Sequence, residues 1–194
     1  MTRITTVCVY CGSAEPAPPA HVRAAQDLGR SLAERGITTI FGGGRVGMMG
    51  HLADAALAAG GKVIGIIPRH LEDVEVGHTG VSDLRIVSSM HERKEMMASL
   101  ADAFIVLPGG LGTLDETLEI LTWRQLGLHD NGIILLDVDG YWRPLNDLIH
   151  SVVAQGYAAG SALDLFHTAT SVAAALDLLE HMEQPAAAAL TERM

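Results

Sequence analysis

The segment PGGLGTLDE, residues 108–116, combines a glycine-rich loop with two carboxylates. Gly109, Gly110 and Gly112 can adopt backbone conformations that other residues avoid, and Thr113 can cap the helix that follows. The N–H groups of such a helix start, together with the helix dipole, bind anions such as phosphate. The loop lacks the Gly-Lys-Ser/Thr ending of NTPase loops, so it predicts a phosphate site without NTP hydrolysis.

The two carboxylates, Asp115 and Glu116, stand beside this predicted anion site and need an explanation of their own. Acidic residues in a first helical turn stabilise the helix dipole by up to about 1 kcal/mol, which suits Asp115. Glu116 lies three residues after Thr113, the spacing of a capping box. It can also reach past a bound phosphate to a sugar, where a carboxylate stabilises an oxocarbenium-like centre. Both interpretations of Glu116 are open at this point.

The segment SMHERKEMMASL, residues 89–100, places two cations side by side on a predicted helix. Lys94 is one of only two lysines in the chain, and it follows Arg93 directly. An arginine at such a site can bind a carboxylate or a phosphate through two parallel hydrogen bonds. The alternative is a solvated helix face with weak ion pairs, which composition by itself favours.

A second glycine loop, FGGGRVG at residues 41–47, contains the G-x-G-x-x-G pattern of dinucleotide-binding proteins. It follows the second predicted strand rather than the first. The next strand ends in Ile67 and Pro68, without the acidic residue that binds a ribose. We therefore do not expect NAD, and the loop is either a backbone contact to a nucleotide or a tight strand-to-helix turn.

The only cysteines, Cys8 and Cys11, form a C-x-x-C pattern, which in some proteins marks a redox pair. A redox pair normally sits where a strand gives way to a helix, whereas Cys8 lies inside the apolar run of residues 4–10. We therefore expect these residues to serve packing and a turn.

Short apolar runs alternate with longer segments of helical periodicity along the chain. The predicted strands are residues 4–10, 37–41, 62–67, 84–87, 103–107 and 132–136. The predicted helices are residues 20–35, 46–59, 90–100, 113–126, 141–155 and 171–182. This alternation predicts a single-domain, doubly wound, Rossmann-like α/β fold, with helices on both faces of a mostly parallel sheet. We expect the domain to span residues 1–183 and residues 184–194 to form a flexible tail.

Ligands of doubly wound sheets bind beyond the carboxyl ends of the strands. The loops that follow four of the predicted strands are small, glycine-bearing or polar, and they are residues 11–13, 42–47, 68–70 and 108–113. We expect these loops to meet at one edge of the sheet and to form the site.

Length and charge narrow the classes of partner. The 194 residues suit one domain, and the formal net charge of −10 disfavours nucleic acid, because phosphate neutralisation needs clustered Lys and Arg. A small phosphorylated ligand is not excluded. No apolar run reaches the roughly 18 residues of a membrane span, and the N-terminus lacks the apolar stretch of a secretory signal. We expect a cytoplasmic protein without membrane association.

Taken together, MHERK at residues 90–94 and PGGLGTLDE at residues 108–116 resemble the LOG family of cytokinin riboside 5'-monophosphate phosphoribohydrolases, often labelled lysine decarboxylase-like. The segment TWRQLGLH, residues 122–129, is similar too, and the resemblance covers about residues 4–180. It implies hydrolysis of the N-glycosidic bond of an adenine-type nucleoside 5'-monophosphate to free base and ribose 5-phosphate. It further implies no redox cofactor, no metal, and a homodimer whose site lies close to the subunit interface.

The resemblance also implies roles for individual residues. Arg93 and Glu116 carry the chemistry: Arg93 helps to hold the phosphate and keeps Glu116 ionised, and Glu116 serves the ribose, where positive charge develops as the base leaves. The remaining substrate-binding residues that it implies are Ser13, Gly43, Gly44, His78, Met90, Lys94, Gly109, Gly110, Gly112, Thr113 and Asp115.

The sequence departs from the family pattern at a few positions. Many members carry tyrosine where Leu111 stands and glutamate where Asp115 stands, and His78 or Thr79 falls near a ligand-contacting glutamate of the plant members. These differences bear on the ribose or base preference, and they leave AMP and N6-prenylated AMP as alternative substrates.

Two other function classes deserve comparison. A pyridoxal-dependent decarboxylase needs a Schiff-base lysine, and the chain offers only Lys62, at the start of an apolar strand, and Lys94. A non-catalytic nucleotide- or cofactor-binding protein of the same fold is the stronger alternative. Such a protein would bind AMP without releasing adenine.

Overall fold

The computed structural model describes residues 4–72 and 76–182, and within them seven parallel strands form one sheet of order β4-β3-β2-β1-β5-β6-β7. The strands are β1 Thr6–Tyr10, β2 Thr38–Phe41, β3 Val63–Pro68, β4 Asp83–Val87, β5 Ala103–Val106, β6 Gly132–Leu136 and β7 His167–Ala169. The helices are α1 Pro19–Glu34, α2 Gly47–Ala58, α3 Arg69–Glu72, α4 Met90–Ser99, α5 Leu111–Gln125, α6 Arg143–Ala154 and α7 Val172–His181. The predicted α/β fold is confirmed.

The alternation of side chains along the central strands divides the core into two apolar layers. Val7 and Val9 of β1 belong to the layer that contains residues of α1, α2 and α7. Cys8 and Tyr10 belong to the opposite layer, which contains residues of α4, α5 and α6. Because both faces of β1 are covered, every position of this strand after the first is buried and its sequence reads as a continuous apolar run.

The strand order creates a crevice between β1 and β5. The chain proceeds outward from β1 to β4 and then returns to β5 on the other side of β1, so the loops after these two strands diverge. One backbone bond ties the loops at their base, where the N–H of Gly12 donates to the carbonyl oxygen of Pro108 at 3.1 Å. The ligand crevice of a doubly wound sheet is thus expected at these loops.

Sequence periodicity missed the shortest elements. Strand β7 has only three residues, HTA, which pair with Ile134, Leu135 and Leu136 of β6. Helix α3 has four residues, too few for a periodic pattern. None of the described helices is long and apolar enough to cross a membrane. The predicted tail, residues 184–194, lies outside the described residues.

Candidate active site

A cavity of about 260 Å³ opens in the crevice between the loops after β1 and β5. Loop residues, the first turns of α5 and one face of α4 form its wall. The predicted site residues that line it are Ser13, Met90, Arg93, Gly110, Gly112, Thr113, Asp115 and Glu116. The structure therefore brings both predicted catalytic residues and most of the predicted phosphate loop into one cavity.

The phosphate loop enters α5 two residues earlier than the sequence predicted. The helix begins at Leu111 with Gly110 as its N-cap, so Thr113 lies inside the first turn and the predicted cap at Thr113 is wrong. The buried Thr113 side chain instead packs on Gly109, where an added Cβ would lie 2.1 Å from Thr113 Oγ1. Glycine is required at position 109 for this contact. The backbone of the first turn faces the cavity and is suited to an anion.

The shifted helix start also removes the capping-box explanation of Glu116, because that motif requires the cap three residues before the glutamate. Glu116 lines the cavity, and Cys11 lines it as well. Burial, followed by the negative charge of Glu116, raises the pKa of the Cys11 thiol far above its ordinary range. Burial and Glu116 raise the pKa of Cys8 as well, whereas the charge of Arg93 lowers it. The charge of Glu116 therefore acts on both thiols, and the charge of Arg93 acts on that of Cys8.

The two cysteines are free and buried, as predicted for packing residues. Their raised pKa values keep them as thiols, which are poor nucleophiles and poor redox partners.

Arg93 is 4% exposed and is fixed by main-chain carbonyls. Its Nε donates to the carbonyl oxygen of Ile66 at 3.1 Å, and its Nη2 donates to that of Gly42 at 2.6 Å. Helix α4 begins at Met90 and is capped by Ser89, whose hydroxyl accepts from the N–H of Glu92. The solvated-face interpretation is therefore wrong for Arg93, whose guanidinium is buried and preorganised.

The second glycine loop, residues 41–47, contacts Arg93 through Gly42. A Cβ on Gly42 would lie 2.2 Å from Arg93 Nη2, so glycine makes room for the guanidinium. Gly43 has a φ of +76°, which favours glycine, and its carbonyl accepts from the N–H of His78 at 2.8 Å. Gly44 forms a bridge with Gly77. Gly42 lines the cavity, whereas the predicted substrate-binding residues Gly43 and Gly44 are not among the residues that line it.

His78 is buried away from the cavity and bonds to α2. Its Nε2 is 2.9 Å from Asp54 Oδ1, and the N–H of Gly80 donates to its Nδ1 at 3.3 Å. Because Nδ1 accepts, this network assigns the ring proton to Nε2, which donates to the aspartate. The predicted contact of His78 with the ligand has no counterpart in the residues that line the cavity.

Lys94 is buried between α4 and α5, behind the cavity wall. Its Nζ donates to Asp115 Oδ2 and to Glu119 Oε1, both at 3.0 Å. Burial lowers the pKa of Lys94, but the hydrogen bonds to Glu119 and Asp115 outweigh burial and the pKa is raised. Lys94 therefore neutralises the carboxylate that stands beside the anion site, and it does not line the cavity.

Most of the apolar part of the cavity wall lies outside the loops that were predicted to form the site. These residues are Val9, Tyr10, Ala14, Met49, Leu71 and Met97. Apolar side chains carry no pattern that separates a cavity wall from the core. Leu111, at the rim of the cavity, differs from these residues because 84% of it is exposed.

Comparisons with known proteins agree with these motifs. A family profile described as "Possible lysine decarboxylase" matches residues 49–179. The cytokinin riboside 5'-monophosphate phosphoribohydrolase LOG of Oryza sativa subsp. japonica is 47% identical over 161 residues, 83% of this chain and 66% of the rice protein. The cytokinin riboside 5'-monophosphate phosphoribohydrolase LOG3 of Arabidopsis thaliana is 40% identical over 183 residues, which are 94% of this chain and 84% of the Arabidopsis protein. The chain belongs to the LOG family.

A protein of another class has a similar fold. The molybdenum cofactor binding protein from the phototrophic bacterium Rippkaea orientalis matches with a TM-score of 0.68 at 24% identity, over 92% of this chain and 97% of that protein. At this identity the likeness concerns the fold alone. The fold of the LOG family is therefore compatible both with hydrolases and with cofactor binding.

The "lysine decarboxylase" description of the LOG-family profile does not fit the two lysines. Lys94 is committed to two carboxylates. Lys62 is exposed, and it precedes β3, at the amino end of the sheet. Because all strands are parallel, this end is opposite to the cavity, and neither lysine can form a Schiff base there.

Proposed function

We propose that the chain hydrolyses the N-glycosidic bond of adenine-type nucleoside 5'-monophosphates, cytokinin riboside 5'-monophosphates among them. The products are the free base and ribose 5-phosphate. The observation that carries the proposal is the presence of an anion-binding helix start and the carboxylate Glu116 in one cavity. Membership of the LOG family, whose relatives carry this activity in their names, supports it.

The first turn of α5 supplies the site for the 5'-phosphate. Glu116 follows Gly110 by six residues, about 9 Å along the helix at 1.5 Å per residue. This separation is on the scale of a phosphorylated pentose. A substrate anchored by its phosphate at Gly110 and Gly112 thus presents its sugar to Glu116.

Glu116 acts where positive charge develops. The bond between C1' and the base nitrogen breaks with its electron pair going to the base, and C1' takes on oxocarbenium character. The carboxylate stabilises this charge and orients the ribose hydroxyls and the attacking water. Water adds to C1' and gives up one proton, and the departing base gains one. Arg93, fixed by Ile66 and Gly42, holds its charge in place before the reaction begins.

The same proposal includes the oligomeric state. The outer face of α5 and the turn after it expose Leu111, Leu118, Leu126 and Leu128. Such exposed leucines are suited to an isologous contact with a second copy. We propose a homodimer that buries this surface beside the cavity. The cytoplasmic location and the absence of a nucleic acid partner stay predictions.

Base release from a panel of nucleotides tests the proposal. The purified chain is incubated with AMP, with N6-prenylated AMP and with the corresponding nucleosides, and free base is measured by chromatography. We expect release from the monophosphates and at least about a hundredfold slower release from the nucleosides, which lack the phosphate anchor. Binding of AMP without any base release, unchanged in Glu116→Ala, would instead support the cofactor- or nucleotide-carrier function.

A further inference from the structure

The loop after β6, residues 137–142, lies at the carboxyl edge of the sheet and is not one of the four loops that were predicted to form the site. Asp139 and Gly140 have φ values of 56° and 77°, so the chain reverses sharply there. The N–H of Trp142 donates to Asp137 Oδ1 at 2.7 Å and holds the turn closed. Because β6 is the neighbour of β5, this turn carries Tyr141 onto the phosphate loop.

Both the hydroxyl and the ring of Tyr141 make contacts that fix the side chain. Its hydroxyl donates to the carbonyl oxygen of Gly109. Its ring makes edge-to-face contacts with His21, at a centroid distance of 5.7 Å, and with Trp142, at 4.9 Å. The ring contacts orient the hydroxyl independently of the hydrogen bond, so this contact is a directed one.

We propose that Tyr141 is a positioning residue that holds the peptide between Gly109 and Gly110 with its N–H toward the phosphate. In a planar trans peptide the C=O and the N–H point in opposite directions. A carbonyl held by Tyr141 therefore aims the N–H of Gly110 to the other side. Gly110 lines the cavity and Gly109 does not, in agreement with this orientation.

The peptide between Gly109 and Gly110 needs such a restraint because both of its residues are glycines. A peptide between two glycines can flip with little steric cost, and the flipped form would point a carbonyl oxygen at the anion. An added Cβ on Gly110 would meet no atom within 4 Å, so the surroundings leave space at that residue. The Tyr141 hydroxyl supplies the missing restraint. This inference rests on the proposed function for the identity of the anion.

The substitution Tyr141→Phe tests the inference, because it removes the hydroxyl and keeps the ring contacts. We expect the Kd for inorganic phosphate and for ribose 5-phosphate, measured by calorimetry, to rise by about three- to tenfold, as for loss of one hydrogen bond. We expect KM for the nucleotide to rise in parallel, with a smaller change in kcat and an unchanged Tm. The matched control is Tyr157→Phe, since Tyr157 is 82% exposed beyond the end of α6.

The Kd for phosphate tests this inference separately from the proposed function, because phosphate can bind without any turnover. Unchanged phosphate affinity in folded Tyr141→Phe, or a fall in kcat alone, would overturn the positioning role, whatever the wild-type protein hydrolyses. A second measurement does not depend on the variant. In the wild-type protein labelled with ¹⁵N, the amide resonance of Gly110 should shift on titration with phosphate, and a resonance that does not respond contradicts the inference.

Discussion

Among the single residues of the site, Lys94 offsets the negative charge that stands beside the cavity. Asp115 would repel a phosphate at the start of α5, but it is bonded to Lys94, which a second carboxylate, Glu119, also holds. The buried lysine thus allows a carboxylate to stand beside an anion site. The neighbouring cation, Arg93, donates to the main-chain carbonyl oxygens of Ile66 and Gly42, which fix its guanidinium at the cavity.

Removal of the Lys94 charge should weaken nucleotide binding. In Lys94→Met the carboxylates lose their cation and Asp115 acts on the phosphate, so we expect KM to rise about tenfold, as for one unscreened charge near the site. Steady-state kinetics of base release measure this, with Lys62→Met, at the opposite end of the sheet, as the control. Adding Asp115→Asn should recover most of the loss. A double variant no better than Lys94→Met would show that Lys94 acts through something else.

At the scale of elements, local patterns predicted most of the scaffold and only part of the site. Most of the six longer strands follow from apolar runs, although β4, DLRIV, carries two charged residues. Strand β7, with the polar sequence HTA, exists through its pairing with β6. The start of α5 was placed two residues late because a Gly110 cap has no side chain to announce it. The contacts of Tyr141 with Gly109 and of His78 with Asp54 link distant segments, and no local pattern encodes them.

Asp102 joins the two strands that border the crevice. It precedes β5, and its Oδ2 accepts from the N–H groups of Thr5 and Thr6 at 2.8 and 2.9 Å, beside the start of β1. Burial raises the pKa of Asp102, but the hydrogen bonds from Thr5 and Thr6 outweigh burial and lower it. Its folded pKa is thus below the unfolded value of about 3.9, and its stabilisation is complete above that pH and is lost as the pH falls through the folded pKa.

Thermal unfolding at two pH values tests this contribution. Asp102→Asn replaces a charged acceptor by a neutral one, so we expect a loss of about 1 kcal/mol at pH 7, or about 2–4 °C in Tm. At an acidic pH below the folded pKa the wild-type carboxyl becomes neutral as well, and the difference should shrink. Asp27→Asn, at an exposed carboxylate paired with Arg30 on α1, should have little effect at either pH. A difference that is equal at both pH values would contradict the assignment.

At the scale of the whole molecule, the exposed leucines of α5 predict self-association next to the cavity. A glutamate at their centre, in Leu118→Glu, would place a charge and its symmetry mate in the contact, and we expect the dimer to dissociate in sedimentation experiments. Leu148→Glu is the matched control, because Leu148 is an exposed leucine on α6. A wild-type protein that sediments as a monomer, or equal effects of the two substitutions, would count against this surface.

If one carboxylate performs the chemistry on a substrate anchored by its phosphate, the substitution Glu116→Gln should remove catalysis and leave binding intact. The change keeps the shape of the side chain and removes its charge. We expect the Kd for AMP to stay within about threefold while base release in single-turnover experiments falls by about a hundred- to a thousandfold, the range for loss of one charge-stabilising group. Glu95→Gln, at an exposed glutamate of α4, should react as the wild type does. Release of adenine by Glu116→Gln at the wild-type rate would contradict the account.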